Sequence, residues 1–107
     1  MALIKPGMSF SQLSQNSFNR DEKYRHRRYP TVIHGVGLGD EYPKIYYQED
    51  WPQDGYDGLV QENMVLCLES FSGAQGEAEG VKLETQVRVT ASGCEAMSNY
   101  AFEDILL

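Results

Sequence analysis

Residues 62–90, ENMVLCLESFSGAQGEAEGVKLETQVRVT, join the most apolar segment of the chain to an alternating one. From Met64 to Leu68 both faces of a strand would be hydrophobic, as in a central strand that is covered on both sides. After the glycine-rich turn 72–80, apolar and polar side chains alternate, which is typical of a strand with one exposed face. The two segments therefore predict a hairpin-like pair. The apolar set of its second strand is Val81, Leu83, Val87 and Val89, and the polar set is Lys82, Glu84, Gln86 and Arg88.

Two glutamates of this hairpin are candidate metal ligands. Glu69 directly follows the apolar run, and burying its ionised carboxylate would cost free energy unless a cation or several hydrogen bonds compensate. A metal ion is one such cation. Alternatively, the strand ends before Glu69 and the carboxylate stays hydrated; the residues alone favour neither interpretation. Glu84 is a weaker candidate by itself, because an exposed strand face normally carries charged side chains.

A histidine precedes a glycine-rich loop upstream of the hairpin, in TVIHGVGLGDEYP, residues 31–43. Residues 31–33 predict a strand, with His34 at its end. The glycines give the loop a thin backbone that can pass close to a metal and a substrate, and a flexible turn is the alternative interpretation. With Glu69 and Glu84, the imidazole makes a donor set that suits iron, manganese, cobalt or zinc. The three glycines are Gly35, Gly37 and Gly39.

The flanking segments predict helices and a loop. In KPGMSFSQL, Ser9 and Gln12 form a capping-box pattern that starts an amphipathic helix, and the helix should end before Tyr29-Pro30. Turn residues and aromatic residues in 46–58 predict an irregular loop. The close of the chain, 99–107, predicts a short helical turn docked on the sheet.

Bulk properties narrow the classes of function. With 107 residues and a net charge of -7, the chain is expected to be one acidic domain with no nucleic-acid partner. Five of its nine basic residues lie in 20–28, where interspersed carboxylates favour a solvated helix end over a nucleic-acid patch. No apolar run is long enough to span a membrane, and no secretory signal is visible, so a cytoplasmic location is expected. Cys67 and Cys94 are expected to be free thiols.

Four segments, in this order, resemble motifs of the pita-bread metallopeptidase superfamily, which includes methionine and proline-specific aminopeptidases and creatinase. IKPGMSFSQL resembles a helix start, and HGVGL resembles the His-Gly-x-Gly metal-ligand loop. ENMVLCLES resembles the strand that ends in a metal-ligand glutamate, and GVKLETQVRVT resembles the last ligand strand. The resemblance implies an α+β fold, namely the C-terminal portion of a pita-bread fold with a curved antiparallel sheet and helices on its outer face.

The same resemblance implies a complete set of roles around the metal. His34, Glu69 and Glu84 would be ligands of a centre that holds two divalent ions, which would be iron, manganese, cobalt or zinc. The family takes two further aspartate ligands from an upstream strand pair that has no counterpart here. Residues 1–107 are therefore expected to be the C-terminal segment of a catalytic domain, inactive alone, in a parent protein that is a homodimer.

One departure from the peptidase pattern points to a particular branch. Peptidases of the superfamily follow the glycine loop with His-Glu-x-Pro, whereas this chain has Asp40-Glu41-Tyr42-Pro43. A carboxylate at this place resembles the dimethylsulfoniopropionate lyase branch. In that branch a tyrosine five residues before the ligand histidine and an aspartate six residues after it serve the reaction, and Tyr29 and Asp40 have those spacings.

The resemblance thus implies a metal-dependent lyase that cleaves dimethylsulfoniopropionate, a small carboxylate, to dimethyl sulfide and acrylate. Asp40 would be the base of the elimination, and Tyr29 would orient the substrate or stabilise charge. The structural alternatives are aromatic packing for Tyr29 and capping of backbone amides for Asp40. Two other functions stay open: an Xaa-Pro aminopeptidase-like metallopeptidase that acts on peptides, and a non-catalytic pita-bread module that binds a partner.

Overall fold

The computed structural model describes residues 3–17, 29–38 and 41–101. Over these ranges the chain forms one five-stranded antiparallel sheet with two short helices, and the strand order is β2-β1-β3-β4-β5. The elements in chain order are α1 (Phe10–Gln15), β1 (Thr31–Gly35), β2 (Lys44–Tyr46), α2 (Trp51–Asp54), β3 (Val65–Ser72), β4 (Val81–Val89) and β5 (Cys94–Ala96). The most apolar segment is therefore the central strand, as predicted.

The predicted hairpin is confirmed by the pairing of β3 with β4. The two strands are in continuous register from Val65 opposite Arg88 to Ser72 opposite Val81. Because side chains alternate along a strand, this register gives the sheet one apolar face and one polar face. Leu66 and other core residues lie on the apolar face, and the charged residues of β4 lie on the polar face.

Helix α1 covers the apolar face of the sheet. Its Phe10 and Leu13 belong to one buried cluster with Ile33, Leu66 and Val87 of the three central strands. The predicted capping box is present, since the Gln12 backbone N–H donates to Ser9 Oγ at 3.1 Å and the Ser9 N–H donates to Gln12 Oε1 at 2.9 Å.

The helix is shorter than the sequence pattern predicts. Its last residue is Gln15, and Asn16 is its C-cap. The rest of the predicted helix, together with the basic cluster 20–28, falls largely on 18–28, outside the described residues. The helical turn predicted for 99–107 lies mostly outside them too, because residues 102–107 are not described. Among the described residues no helix is long and apolar enough to cross a bilayer.

Segment 46–58 is more ordered than the predicted irregular loop. It begins with the last residue of β2 and contains α2, which has a proline in its first turn. Tyr56 stacks on Tyr42 with ring centroids 6.0 Å apart and meets Phe10 edge-on at 6.2 Å. Asp57 accepts hydrogen bonds from the Ser11 backbone N–H at 3.2 Å and from its hydroxyl at 3.0 Å. These contacts anchor the segment to the first turn of α1.

Gly35 is fixed by close backbone packing at the end of β1. Its N–H is shared between the carbonyl oxygens of Glu41 at 3.1 Å and Pro43 at 2.7 Å. A Cβ atom at this position would overlap the carbonyl group of Tyr42. The need for glycine here therefore comes from the returning loop, whereas the sequence suggested an approach to metal and substrate.

Candidate metal centre

The strand register brings the three predicted ligands to the polar face of the sheet. His34 on β1 lies opposite Cys67 on β3, and Glu69, two residues further along β3, points to the same face. Glu69 in turn lies opposite Glu84 on β4. The His34 Nε2 atom is 3.2 Å from Glu69 Oε2. Three segments that are distant in sequence thus place His34, Glu69 and Glu84 on the same face of the sheet.

Glu69 is a nearly buried carboxylate inside a strand. Strand β3 continues to Ser72, so the interpretation in which the strand ends before Glu69 is wrong. Only 10% of the Glu69 side chain is exposed, and its Oε1 atom is 2.8 Å from the Lys82 ammonium. The lysine and the His34 imidazole therefore supply the compensation that a buried charge requires.

Lys82 links the two opposing carboxylates. Its Nζ atom is 3.3 Å from Glu84 Oε1 as well as close to Glu69, and it lies 5.0 Å from the centroid of the Tyr29 ring. The hydrogen bond to Glu69 is the largest cause that raises the pKa of Lys82. Because like charges that face each other across two strands are destabilising, the ammonium offsets the repulsion between Glu69 and Glu84.

Cys67 lies beside the same carboxylates. Cys67 is buried and Cys94 is partly buried, and the two thiols form no disulfide bond among the described residues. The Cys67 S–H group donates to Glu84 Oε1 at 3.7 Å. Burial, followed by the negative charges of Glu84 and Glu69, raises the pKa of the Cys67 thiol to about 11. The thiol is therefore protonated near neutral pH when no cation is bound.

Both Lys82 and Cys67 escape the sequence-based prediction of the site, although the sequence holds a signal for each. Residues two apart on a strand point to the same face. Lys82 precedes Glu84 by two residues, and Cys67 precedes Glu69 by two. Had Glu69 been assigned to the strand interior, the alternation would have placed all four side chains on the polar face.

The arrangement around His34 fits a divalent cation. Its Nδ1 atom is 2.9 Å from the Gly35 carbonyl oxygen, which can only accept, so Nδ1 carries a proton. The other ring nitrogen faces the Glu69 carboxylate. Two lone pairs at this distance repel each other unless a proton or a metal ion lies between them. An imidazole nitrogen with carboxylate oxygens is also a donor set that iron, manganese and zinc accept. A histidine that binds a metal usually donates a hydrogen bond from its other ring N–H, often to a backbone carbonyl oxygen, as His34 does.

Of the two predicted catalytic residues, the structure describes Tyr29 and does not describe Asp40. Tyr29 lies just before β1, with its ring centroid 5.4 Å from that of Phe71 and with 42% of the residue exposed. It therefore packs against another aromatic ring and also lies beside Lys82. Lys82 belongs to the polar cluster on this face of the sheet, which consists of His34, Cys67, Glu69, Lys82 and Glu84. Asp40 lies outside the described residues, so its role stays a prediction.

Comparison with known proteins identifies the family. The sequence profile of metallopeptidase family M24 matches residues 1–91. The chain belongs to this family. An X-Pro aminopeptidase from Thermotoga maritima has a similar structure, with a TM-score of 0.67 at 24% identity over 91% of this chain and 26% of that one. The α+β, pita-bread prediction is confirmed: an antiparallel sheet carries a helix on the face opposite the polar cluster.

Two curated relatives share more of the sequence. Dimethylsulfoniopropionate lyase DddP from Roseovarius nubinhibens is 37% identical over 107 residues, and the lyase of the same name from Roseobacter denitrificans is 35% identical. Each match covers 100% of this chain and 24% of the relative. The chain thus spans about a quarter of the length of these relatives.

Proposed function

We propose that the chain is the C-terminal segment of the catalytic domain of a cytoplasmic, homodimeric enzyme that cleaves dimethylsulfoniopropionate to dimethyl sulfide and acrylate. The observation that carries this proposal is the similarity of all 107 residues to two lyases, at 37% and 35% identity. The likeness to the aminopeptidase, at 24% identity, supports the fold alone.

In this proposal His34, Glu69 and Glu84 are ligands of a centre that takes two divalent ions when it is complete. Iron, manganese, cobalt and zinc all suit the donor set, and two aspartates from upstream sequence would add to it. Bound metal would anchor the substrate carboxylate and stabilise the charge that develops on it. Support comes from the convergence of the three side chains on one sheet face. Lys82 contacts both glutamates and so helps to hold their carboxylates near each other.

Asp40 is proposed to act as the base of a β-elimination. It takes a proton from the carbon next to the substrate carboxylate, and the electrons of that C–H bond form the double bond of acrylate. The C–S bond breaks with its electron pair moving to sulfur, so that dimethyl sulfide leaves as a neutral molecule. Tyr29 orients the substrate or stabilises charge through its hydroxyl, in keeping with its place at the rim of the cluster.

The test is a direct comparison of two activities in the purified full-length protein that carries this chain, loaded with Mn²⁺ or Fe²⁺. Gas chromatography of the headspace measures dimethyl sulfide, and release of the N-terminal residue from an Xaa-Pro peptide measures peptidase activity. We expect dimethyl sulfide and acrylate in equal amounts. Peptide cleavage without dimethyl sulfide would assign the protein to the aminopeptidases. Release of neither product would favour a non-catalytic binding module.

A further inference from the structure

We propose that His34, Cys67 and Glu84 form a sulfur-containing metal site that takes a soft or borderline divalent cation such as Cd²⁺ or Zn²⁺. This site overlaps the proposed metal centre at His34 and Glu84, and it replaces Glu69 by the thiol of Cys67. The inference rests on the metal-binding part of the proposed function and is independent of the lyase reaction.

The backbone register fixes the geometry of this site. His34 and Cys67 are directly opposite each other on β1 and β3, where facing Cβ atoms are about 5 Å apart. Glu84 reaches the thiol diagonally from β4, with Glu84 Oε1 3.7 Å from Cys67 Sγ. One donor atom from each of the three residues lies within 4.8 Å of the other two. Three adjacent strands thus hold nitrogen, sulfur and oxygen donors ready for one ion.

The donor chemistry differs from that of the Glu69 set. Thiolate and imidazole favour soft and borderline cations, whereas carboxylates favour hard ones. Three protein ligands with an open fourth position are also a common arrangement for zinc. Lys82 is 2.8 Å from Glu69 Oε1, so a cation bound through the sulfur set leaves this ion pair intact. When the sulfur binds the ion, the S–H proton passes to solvent, and no oxidant or reductant is needed.

A cavity gives the ion access to the sulfur. Although Cys67 is only 4% exposed, it lines a cavity of about 440 Å³ together with Glu84. Met97 and Tyr100, from the segment that begins with β5, also line this cavity. The thioether of Met97 therefore adds a further soft donor to the lining of the cavity. The other thiol, Cys94, is outside the group of converging donors and so provides an internal control.

The experiment is a titration of the metal-free 107-residue chain with CdCl₂, followed by the ultraviolet charge-transfer absorbance of a cadmium–thiolate bond. We expect the band to saturate at one equivalent. Cys67→Ser should abolish the band and weaken Cd²⁺ binding by at least about tenfold. The matched variant Cys94→Ser should keep both. No band in the wild-type chain, or a band that survives Cys67→Ser, would overturn the proposal.

A second measurement on the wild-type chain covers the case in which Cys67→Ser does not fold. Mass spectrometry after alkylation should show that Cd²⁺ protects Cys67 and leaves Cys94 reactive. Equal alkylation of Cys67 with and without Cd²⁺ would contradict the site. Sulfur-bound cadmium in a protein whose full-length form makes no dimethyl sulfide would refute the lyase function and leave this inference standing.

Discussion

Lys82 places a positive charge between two candidate metal ligands. Its ammonium contacts Glu69 Oε1 at 2.8 Å and Glu84 Oε1 at 3.3 Å. A metal ion must therefore compete with Lys82 for carboxylate oxygens and approach a positive charge. We predict that Lys82→Met tightens Mn²⁺ binding several-fold while it lowers the melting temperature of the metal-free protein. Isothermal titration calorimetry and thermal unfolding measure the two effects.

Arg88→Met is the matched control for this prediction. Arg88 lies on the same strand and the same face as Lys82, but its guanidinium pairs with Glu95 at 2.6 Å. The variant changes the net charge equally and leaves Glu69 and Glu84 untouched. If Arg88→Met tightened Mn²⁺ binding as much as Lys82→Met, overall charge rather than local competition would be the cause.

Substitution of Asp40 distinguishes a catalytic role of its carboxylate from a structural one. In the full-length protein, Asp40→Asn keeps the size of the side chain and removes the proton acceptor, so we predict a fall in lyase turnover of about 10²- to 10⁴-fold with near-normal metal content. Glu41→Gln, which neutralises the adjacent exposed carboxylate, should retain most activity. An active Asp40→Asn variant would favour a backbone-capping role, because the amide oxygen still accepts hydrogen bonds.

At the scale of single residues, the sequence indicates which residues are candidate ligands better than it indicates how buried they are and what they contact. His34, Glu69 and Glu84 are predicted through the family resemblance, and the strand register places them on one face of the sheet. Residue types alone leave Glu69 undecided, since its burial depends on where β3 ends. Lys82 and Cys67 are missed because a charged residue on an exposed face and a thiol in an apolar run have ordinary explanations. Only the pairing of β3 with both neighbours gives them a common location.

Among the elements, the loop after β1 depends on Gly35. A Cβ atom there would overlap the Tyr42 carbonyl, and it would disturb the hydrogen bonds that return the chain to β2. We predict that Gly35→Ala lowers the free energy of unfolding by about 1 to 3 kcal/mol, the usual cost of overpacking. In the full-length protein it should also reduce lyase activity, because the loop carries Asp40. Urea denaturation and the dimethyl sulfide assay measure these effects.

Gly93→Ala is the control for the loop. Within the described part of the chain, its added Cβ would meet only the Ile4 carbonyl oxygen, at an ordinary distance of 4.0 Å. It should therefore change stability little. Equal stability of Gly35→Ala and Gly93→Ala would show that the loop can move away from β1 at little cost.

The contact between segment 46–58 and α1 should depend on pH through Asp57. Hydrogen bonds from Gly58, then from the Ser11 backbone and hydroxyl, hold the pKa of Asp57 below its ordinary value of 3.8. A carboxyl whose pKa is lower in the folded state stabilises the fold above the unfolded pKa, and this contribution is lost as pH falls through the folded pKa. We predict that Asp57→Asn is less stable than wild type at neutral pH and that the difference shrinks below about pH 3.

Urea denaturation at neutral pH and below about pH 3 checks the Asp57 prediction. Glu62→Gln removes an exposed carboxylate between α2 and β3 and should show no comparable dependence on pH. A constant difference between wild type and Asp57→Asn across this pH range would mean that the ionised form does not anchor the segment.

Long periodic elements are predictable from this sequence, and short ones are not. β4 alternates over nine residues, so its two faces follow from its pattern alone. β2 and β5 have three residues each, and α2 has four, which is too few for a period to be visible. β2 and β5 form through long-range pairing with their neighbours, β1 and β4.

For the molecule as a whole, the family resemblance supplied what local patterns do not contain. No pattern within β1 states that it lies between β2 and β3, yet this order places His34 opposite Cys67 and beside Glu69. Strand order is a property of long-range pairing, which loop-closure entropy and core packing decide together. The shared fold with family M24 carries that information.

The most direct test of the account is the location of metal in a crystal of the full-length protein grown with Mn²⁺. Anomalous scattering would show each manganese ion independently of the protein density. We predict a peak within bonding distance, about 2 to 2.6 Å, of ligand atoms from His34, Glu69 and Glu84. Fully occupied manganese at other residues, with these three side chains free of metal, would contradict the central claim that they form one metal centre.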